Sequence, residues 1–139
     1  MNGSRSDNSA ELNAGAYSGA VNTAFQSKAF ISVLAAIDEY VESNKAELIA
    51  GGRNQNIRVE LPFEASTLTV LVKSFGKQSA LKDWIDLTYR GSKAARSFTA
   101  AMHLQANGVG TPMPIAYLEN RQGNRLIKSY FLTVFEDRQ

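Results

Sequence analysis

From Lys28 onward the apolar residues recur at helical spacing. Phe30, Val33, Leu34, Ile37, Tyr40 and Val41 fall at i, i+3, i+4, i+7, i+10 and i+11, which places them on one face of an α-helix. Ser27 is suited to cap its start, and Ser43 and Asn44 to end it. Beyond it the period drops to two. Ile57, Val59 and Leu61 alternate with Arg58 and Glu60, as in a half-buried strand, until Pro62 interrupts the pairing. Residues 64–67 form a polar turn, and the β-branched run 68–75 returns as a second strand closed by Gly76, so the pair reads as an antiparallel hairpin. Leu81, Trp84, Ile85 and Leu87 predict a short helix. A longer helix opens at Ser92, carries the stripe Ala94, Ala95, Phe98, Ala101 and Met102, and stops at Asn107 and Gly108, with Pro112 and Pro114 forbidding its continuation. Residues 114–119 then read as a strand, 120–124 as a turn and 126–135 as a long apolar strand. The order helix, hairpin, helix, hairpin predicts an α+β domain built on an antiparallel sheet.

The amino-terminal stretch lacks such a pattern. Seventeen of its first 27 residues are Asn, Ser, Gly or Ala, too little apolar surface to offset the entropy of ordering. Residues 1–20 are therefore expected to be a flexible tail, 21–44 a helical segment, and 45–139 the folded remainder. The whole chain, at 139 residues with 44% hydrophobic and 20% charged positions, has the composition of one globular domain. With no cysteine and one histidine, His103, thiol nucleophiles, disulfides and multi-histidine metal sites are excluded. No apolar run approaches a membrane span, and the start lacks the layout of a secretory signal, so a soluble intracellular domain is expected. The net charge of +2 demands no polyanionic partner, but it is unevenly spread: −3 over residues 1–52, +4 over 53–96 and +1 over 97–139. The middle third is where an anion would be welcomed, although a solvated basic face explains the excess equally well. No nucleic-acid-binding motif accompanies it, and no nucleic-acid partner is expected.

Three places could carry chemistry. Lys73 closes an apolar strand, either as a strand-end cation reaching solvent or as an ammonium aimed at phosphates. Gly51, Gly52, Arg53 and Asn54 precede a strand as a tight turn, which could also bring backbone N–H groups against phosphate oxygens. Lys93 and Arg96 lie one turn apart at the start of the Ser92 helix, where the helix dipole disfavours cations. Neither a G-x-G-x-x-G nor a G-x-x-x-x-G-K-[ST] string occurs, which argues against a dinucleotide fold and a P-loop. His103 reads as a surface residue, and Trp84, Tyr89 and Tyr117 as packing residues.

Taken together, Arg53-Asn54, Val72-Lys73-Ser74-Phe75, Tyr89-Arg90, Ser92-Lys93-Ala94-x-Arg96-Ser97-Phe98, Gly108-x-Gly110-Thr111-Pro112-x-Pro114-Ile115-Ala116 and Ser129-Tyr130-Phe131 resemble the amino-terminal half of the lipopolysaccharide kinase (Kdo/WaaP) family over about residues 45–136. The resemblance implies a protein-kinase-like N-terminal lobe: an antiparallel sheet backed by one central helix, here with an extra N-terminal helix and ending at the hinge. It implies ATP and magnesium as cofactors and a lipopolysaccharide core sugar as acceptor. It also implies a location in the cytoplasm at the inner face of the bacterial inner membrane. Lys73 would meet the nucleotide phosphates, Gly51, Gly52, Arg53 and Asn54 would cover them, and the backbone of Val134, Phe135 and Glu136 would receive adenine.

Two departures bear on activity. No acidic residue lies between Asp86 and Glu119, so the Ser92 helix has no carboxylate to hold Lys73, with Ser97 or Thr99 standing in its place. Lys73 must pair with Asp83, with Asp86 or with a part of the molecule beyond this sequence, or stay unpaired. Nor does an H-x-D catalytic loop or a metal-binding Asp motif follow before Gln139. The expectation is an ATP-covering lobe, truncated or encoded short, with no turnover alone; the alternative is a non-catalytic binding or scaffold domain.

Overall fold

The computed structural model describes residues 8–52 and 54–136. In chain order they form β1 (Ser9–Ala14), β2 (Tyr17–Asn22), α1 (Lys28–Ala35), α2 (Ile37–Val41), β3 (Glu47–Ala50), β4 (Gln55–Phe63), β5 (Ser66–Phe75), α3 (Ala80–Ile85), α4 (Lys93–Ala106), β6 (Pro114–Gln122) and β7 (Arg125–Val134). All seven strands join one antiparallel sheet in the order β1-β2-β6-β7-β5-β4-β3. None of the described helices is long and apolar enough to cross a membrane.

This corrects the expected architecture. The molecule is not a kinase-like lobe with a small sheet and one central helix: it is a seven-stranded sheet with helices on both faces. Much of the difference lies in the stretch expected to be a flexible tail. Residues 1–7 of that stretch lie outside the described residues, but β1 and β2 form a hairpin that extends the sheet from β6 and buries Leu12, Ala14, Tyr17 and Val21. Its alternation is faint in the sequence because half of the positions are Ala, Gly or Ser. The small side chains serve a purpose at Gly19: a Cβ there would stand 2.0 Å from the Tyr117 carbonyl oxygen, so only glycine lets β2 approach β6 this closely.

Successive side chains along a strand face opposite sides, and the two sides of this sheet are built differently. One carries Val21, Val59, Leu61, Val70, Val72, Leu118, Tyr130 and Leu132, packed under Phe30, Leu34 and Ile37 in a continuous core. The Ser27 hydroxyl caps α1 by accepting the Phe30 N–H at 3.1 Å. The expected single helix breaks at Ala36 (φ −104°, ψ 21°) into α1 and α2. After the break, Asp38 accepts the hydroxyls of Tyr17 and Tyr130, each at 2.7 Å. Burial and this shared carboxylate push both tyrosine pKa values far above the ordinary phenol range.

The opposite face is covered by α4, which packs on β6 and β7. Its Phe98 ring meets Tyr117 at 5.6 Å, and Ala94 and Ala101 are buried beside it. Both expected ends of this helix are present. Ser92 accepts the Ala95 N–H at 3.0 Å. At the other end Gly108, at φ +73°, lets the N–H groups of Gly108 and Val109 turn back to Gln105 and Leu104, a closure that glycine permits at little cost. The hairpins β4–β5 and β6–β7 are also where the alternation put them.

Gly19→Ala is expected to destabilise the fold by about 1–3 kcal/mol, as overpacking against backbone does. Gly110→Ala, where the added carbon meets nothing within 4 Å, should stay within about 0.5 kcal/mol. Urea midpoints of the two variants check this.

Candidate functional site

Lys73 projects from the α4 face of β5. Register places it between Asn56 of β4 and Phe131 of β7, with Leu71 and Thr133 in the next row on the same face. Two adjoining cavities run along this row. One, about 230 Å³, is lined by Leu71, Lys73, Ala101, Thr111, Pro112, Phe131 and Thr133. The other, about 340 Å³, shares Leu71, Thr111, Pro112 and Thr133 and continues past Val134, Phe135 and Glu136. They form one groove with the Lys73 ammonium toward one end and residues 134–136 at the other. Its walls are mostly apolar, with the Thr111 and Thr133 hydroxyls, the Lys73 ammonium and the Glu136 carboxylate as its polar groups, the usual make-up of a small-ligand site.

Lys73 has no hydrogen bond or ion pair with any described residue. The two acids that could have paired with it are used elsewhere. Asp83 is fully buried and accepts Arg125 Nε at 2.8 Å and the Leu126 N–H at 3.0 Å. Asp86, also fully buried, accepts Arg90 at 2.6 Å and Gln78 at 3.0 Å, and stands 3.5 Å from Arg96. A third buried acid, Glu119, accepts Arg121 at 2.7 Å and the hydroxyl of Ser92. Across the groove from Lys73, α4 presents Ala101.

The remaining expected site residues divide. Val134, Phe135 and Glu136 line the groove together with Lys73. The Val134 N–H donates to Met113 and the Phe135 N–H to Thr69, both at 2.9 Å, so these two backbone donors are already engaged, which narrows what this segment can offer an adenine. The Phe135 ring is stacked under the Arg58 guanidinium at 5.0 Å. Asn54 lies apart from the groove: its Oδ1 accepts the Gly76 N–H at 3.1 Å, and it lines a different cavity. Gly51 and Gly52 line neither, and Arg53 lies outside the described residues. Thr111, Pro112 and Phe131 belong to the strings that carry the resemblance, which assigns them no ligand contact, and neither Leu71 nor Thr133 is among the expected site residues. Only the strand alternation of β5 and β7 could have put Leu71, Phe131 and Thr133 on the Lys73 face.

The donor set does not suit magnesium. A hard cation takes carboxylate oxygens, and the cavity beside Lys73 has none. Among the described residues no cluster of three or more His, Cys, Asp or Glu side chains is arranged to hold a metal ion.

The expected short helix around Trp84 exists, but inverted. Leu81, Trp84 and Tyr89 are 67%, 46% and 72% exposed, with the two rings in edge contact at 5.7 Å. The acids between them turn inward instead. Trp84 and Tyr89 therefore pack on each other at the surface and not in the core. Asp83 Oδ1 is buried with no hydrogen-bond partner among the described residues.

Burial opposes the charged forms of Asp83, Asp86 and Asp38. In Asp83 it is outweighed by Arg125 and the Leu126 N–H, in Asp86 by Gln78 and Arg90, and in Asp38 by Tyr17, Tyr130 and Lys128, so all three carboxyls are held below the ordinary value. Unfolding then takes up protons as the pH drops. The stabilisation is complete above the unfolded-state value of about 3.9 and is lost as pH falls below it toward the folded values. Urea midpoints should hold steady from pH 7 to 5 and fall steeply below about pH 4. An Asp83→Asn/Asp86→Asn variant is expected to be less stable at pH 7 and to show a shallower acid decline.

Compared with family models, curated proteins and solved structures, the chain gives no significant match.

Proposed function

We propose that the chain binds a nucleoside triphosphate along the groove, with its base toward residues 134–136 and its phosphates toward Lys73. On this reading it is the ATP-holding part of a lipopolysaccharide-core sugar kinase-like protein, as the resemblance of its motifs implies, working at the cytoplasmic face of the bacterial inner membrane. The observation that carries the reading is an ammonium that lines a mostly apolar groove and has no anion partner among the described residues. A buried or half-buried charge is ordinarily paired, and a phosphate supplies what Lys73 lacks. The groove's apolar walls at Leu71, Pro112 and Val134 suit a flat base.

Binding is separated from turnover. Phosphoryl transfer needs a base to take the acceptor proton and metal ligands to neutralise developing charge, and the cavity beside Lys73 has no carboxylate for either. The chain alone is thus a nucleotide-holding surface without kinase turnover. The absence of a carboxylate on α4 opposite Lys73 also favours a second reading, a binding or scaffold domain with no catalytic role.

ATP at about ten times its Kd adds ~1.4 kcal/mol of stability, which raises the melting temperature of a domain this size by about 3–6 °C. Thermal melts of the wild type should show this rise. Lys73→Met should lose it while melting at the wild-type temperature without ligand. Equal shifts in both proteins would make Lys73 a strand-end cation, and no shift in either would leave the scaffold reading.

A further inference from the structure

A second cavity on the same sheet face is polar where the groove is apolar. It has a volume of about 260 Å³ and is lined by Asn54, Gln78, Lys82, Lys93 and Ser129, with Phe75, Gly76 and Leu126 as its apolar and backbone walls. Phase along β5 puts it one row beyond Lys73, since Phe75 pairs with Ser129. We propose that this cavity is a site for a phosphate group, free or carried on a larger molecule.

Three observations converge. First, Ser129 is 3% exposed and lines the cavity, yet its hydroxyl hydrogen-bonds to no described residue. The hydroxyl borders the cavity's open space, where it can donate to a ligand oxygen. Second, Asn54 uses Oδ1 to accept the Gly76 N–H, which commits its carbonyl side and leaves its NH₂ group as a donor. Third, Lys82 and Lys93 have no carboxylate within ion-pair reach among the described residues.

The lysines are unpaired for a traceable reason. Between residues 65 and 118 the only acids are Asp83 and Asp86, and both are fully buried under the forks of Arg125, Arg90 and Arg96. Arginine takes the local carboxylates because its planar fork matches them, and the lysine charge is left over. Lys93 sits at the first residue of α4, where the dipole penalises a cation. An anion in the cavity turns that penalty into a favourable contact with both the lysine and the helix start. A compact ring of ammonium, amide and hydroxyl donors, with no acid among the lining residues, fits the tetrahedral oxygens of a phosphate.

The proposal stands apart from the nucleotide reading, and one titration separates them. Pyrophosphate added to the full chain at low ionic strength, followed by amide NMR, is expected to move the Ser129 and Asn54 signals in the wild type and equally in Lys73→Met. In Lys82→Ala/Lys93→Ala the affinity should fall about tenfold or more, and Ser129→Ala should weaken binding with the charge unchanged. Both lysines are exposed, so the double variant should melt at the wild-type temperature. Unmoved Ser129 and Asn54 signals in the wild type, or undiminished binding in the double variant, would overturn the proposal. ATP identifies the source of the phosphate. Weaker ATP binding in both the Lys73 and the Lys82/Lys93 variants makes the cavity the end of the nucleotide's own tail. ATP binding that is lost in Lys73→Met but unchanged in the double variant makes it a separate phosphate site.

Discussion

Three carboxylates taken out of water hold the α4 face of this protein together. Asp83 ties α3 to the start of β7 through Arg125 and the Leu126 N–H, and Asp86 gathers Arg90 and Arg96 around the entry to α4. Glu119 of β6 holds the Ser92 hydroxyl, which caps that same helix. Removing a carboxylate from water is expensive unless its oxygens are paired and hydrogen-bonded, so these contacts admit few alternative arrangements. They set where α4 lies across β6 and β7, and with it the height of the groove floor beneath Ala101 and the position of Lys93.

The sheet divides the labour between its faces. The side under α1 and α2 is a closed apolar core, sealed by aromatic contacts among Phe25, Phe30 and Phe63 with ring centroids 5.3–6.2 Å apart. Its polar insertion is Asp38, bound by two tyrosine hydroxyls and approached by Lys128 at 3.7 Å. That face gains its stability from burial and has little room for a ligand. The other side is only partly covered, because α4 is one helix laid across two of the strands. What it leaves uncovered on β5 and β7 becomes the Lys73 groove and the polar cavity next to it. Stability and openness are thereby assigned to opposite surfaces of one layer.

The same arrangement explains the excess of positive charge in the middle of the chain. Two of its four acids, Asp83 and Asp86, are buried against arginines, while Lys77, Lys82 and Lys93 are left at the surface. A net charge summed over the segment hides this separation, since it counts a buried Asp86 and an exposed Lys82 alike. Three of its lysines, Lys73, Lys82 and Lys93, line the two cavities.

What the sequence by itself determined was local. The helix at Phe30, the β4–β5 and β6–β7 hairpins, the Ser27 and Ser92 caps and the stop at Gly108 all follow from periodicity and backbone chemistry that act within a few residues. Lys73 could be placed on a strand face for the same reason. Tertiary structure decided the rest. The Ala- and Gly-rich start carries too little apolar signal to announce a hairpin, and becomes one because β6 offers it an edge to which Gly19 can draw close. Around Trp84 the hydrophobic pattern pointed the wrong way: Asp83 and Asp86 turn inward because Arg125, Arg90 and Arg96 meet them there, Arg90 from one helical turn on, Arg96 from the next helix and Arg125 from a strand 42 positions further on. Which lysines stay unpaired, and which open space they border, depends on those distant pairings, and no count of residues along the chain contains that information.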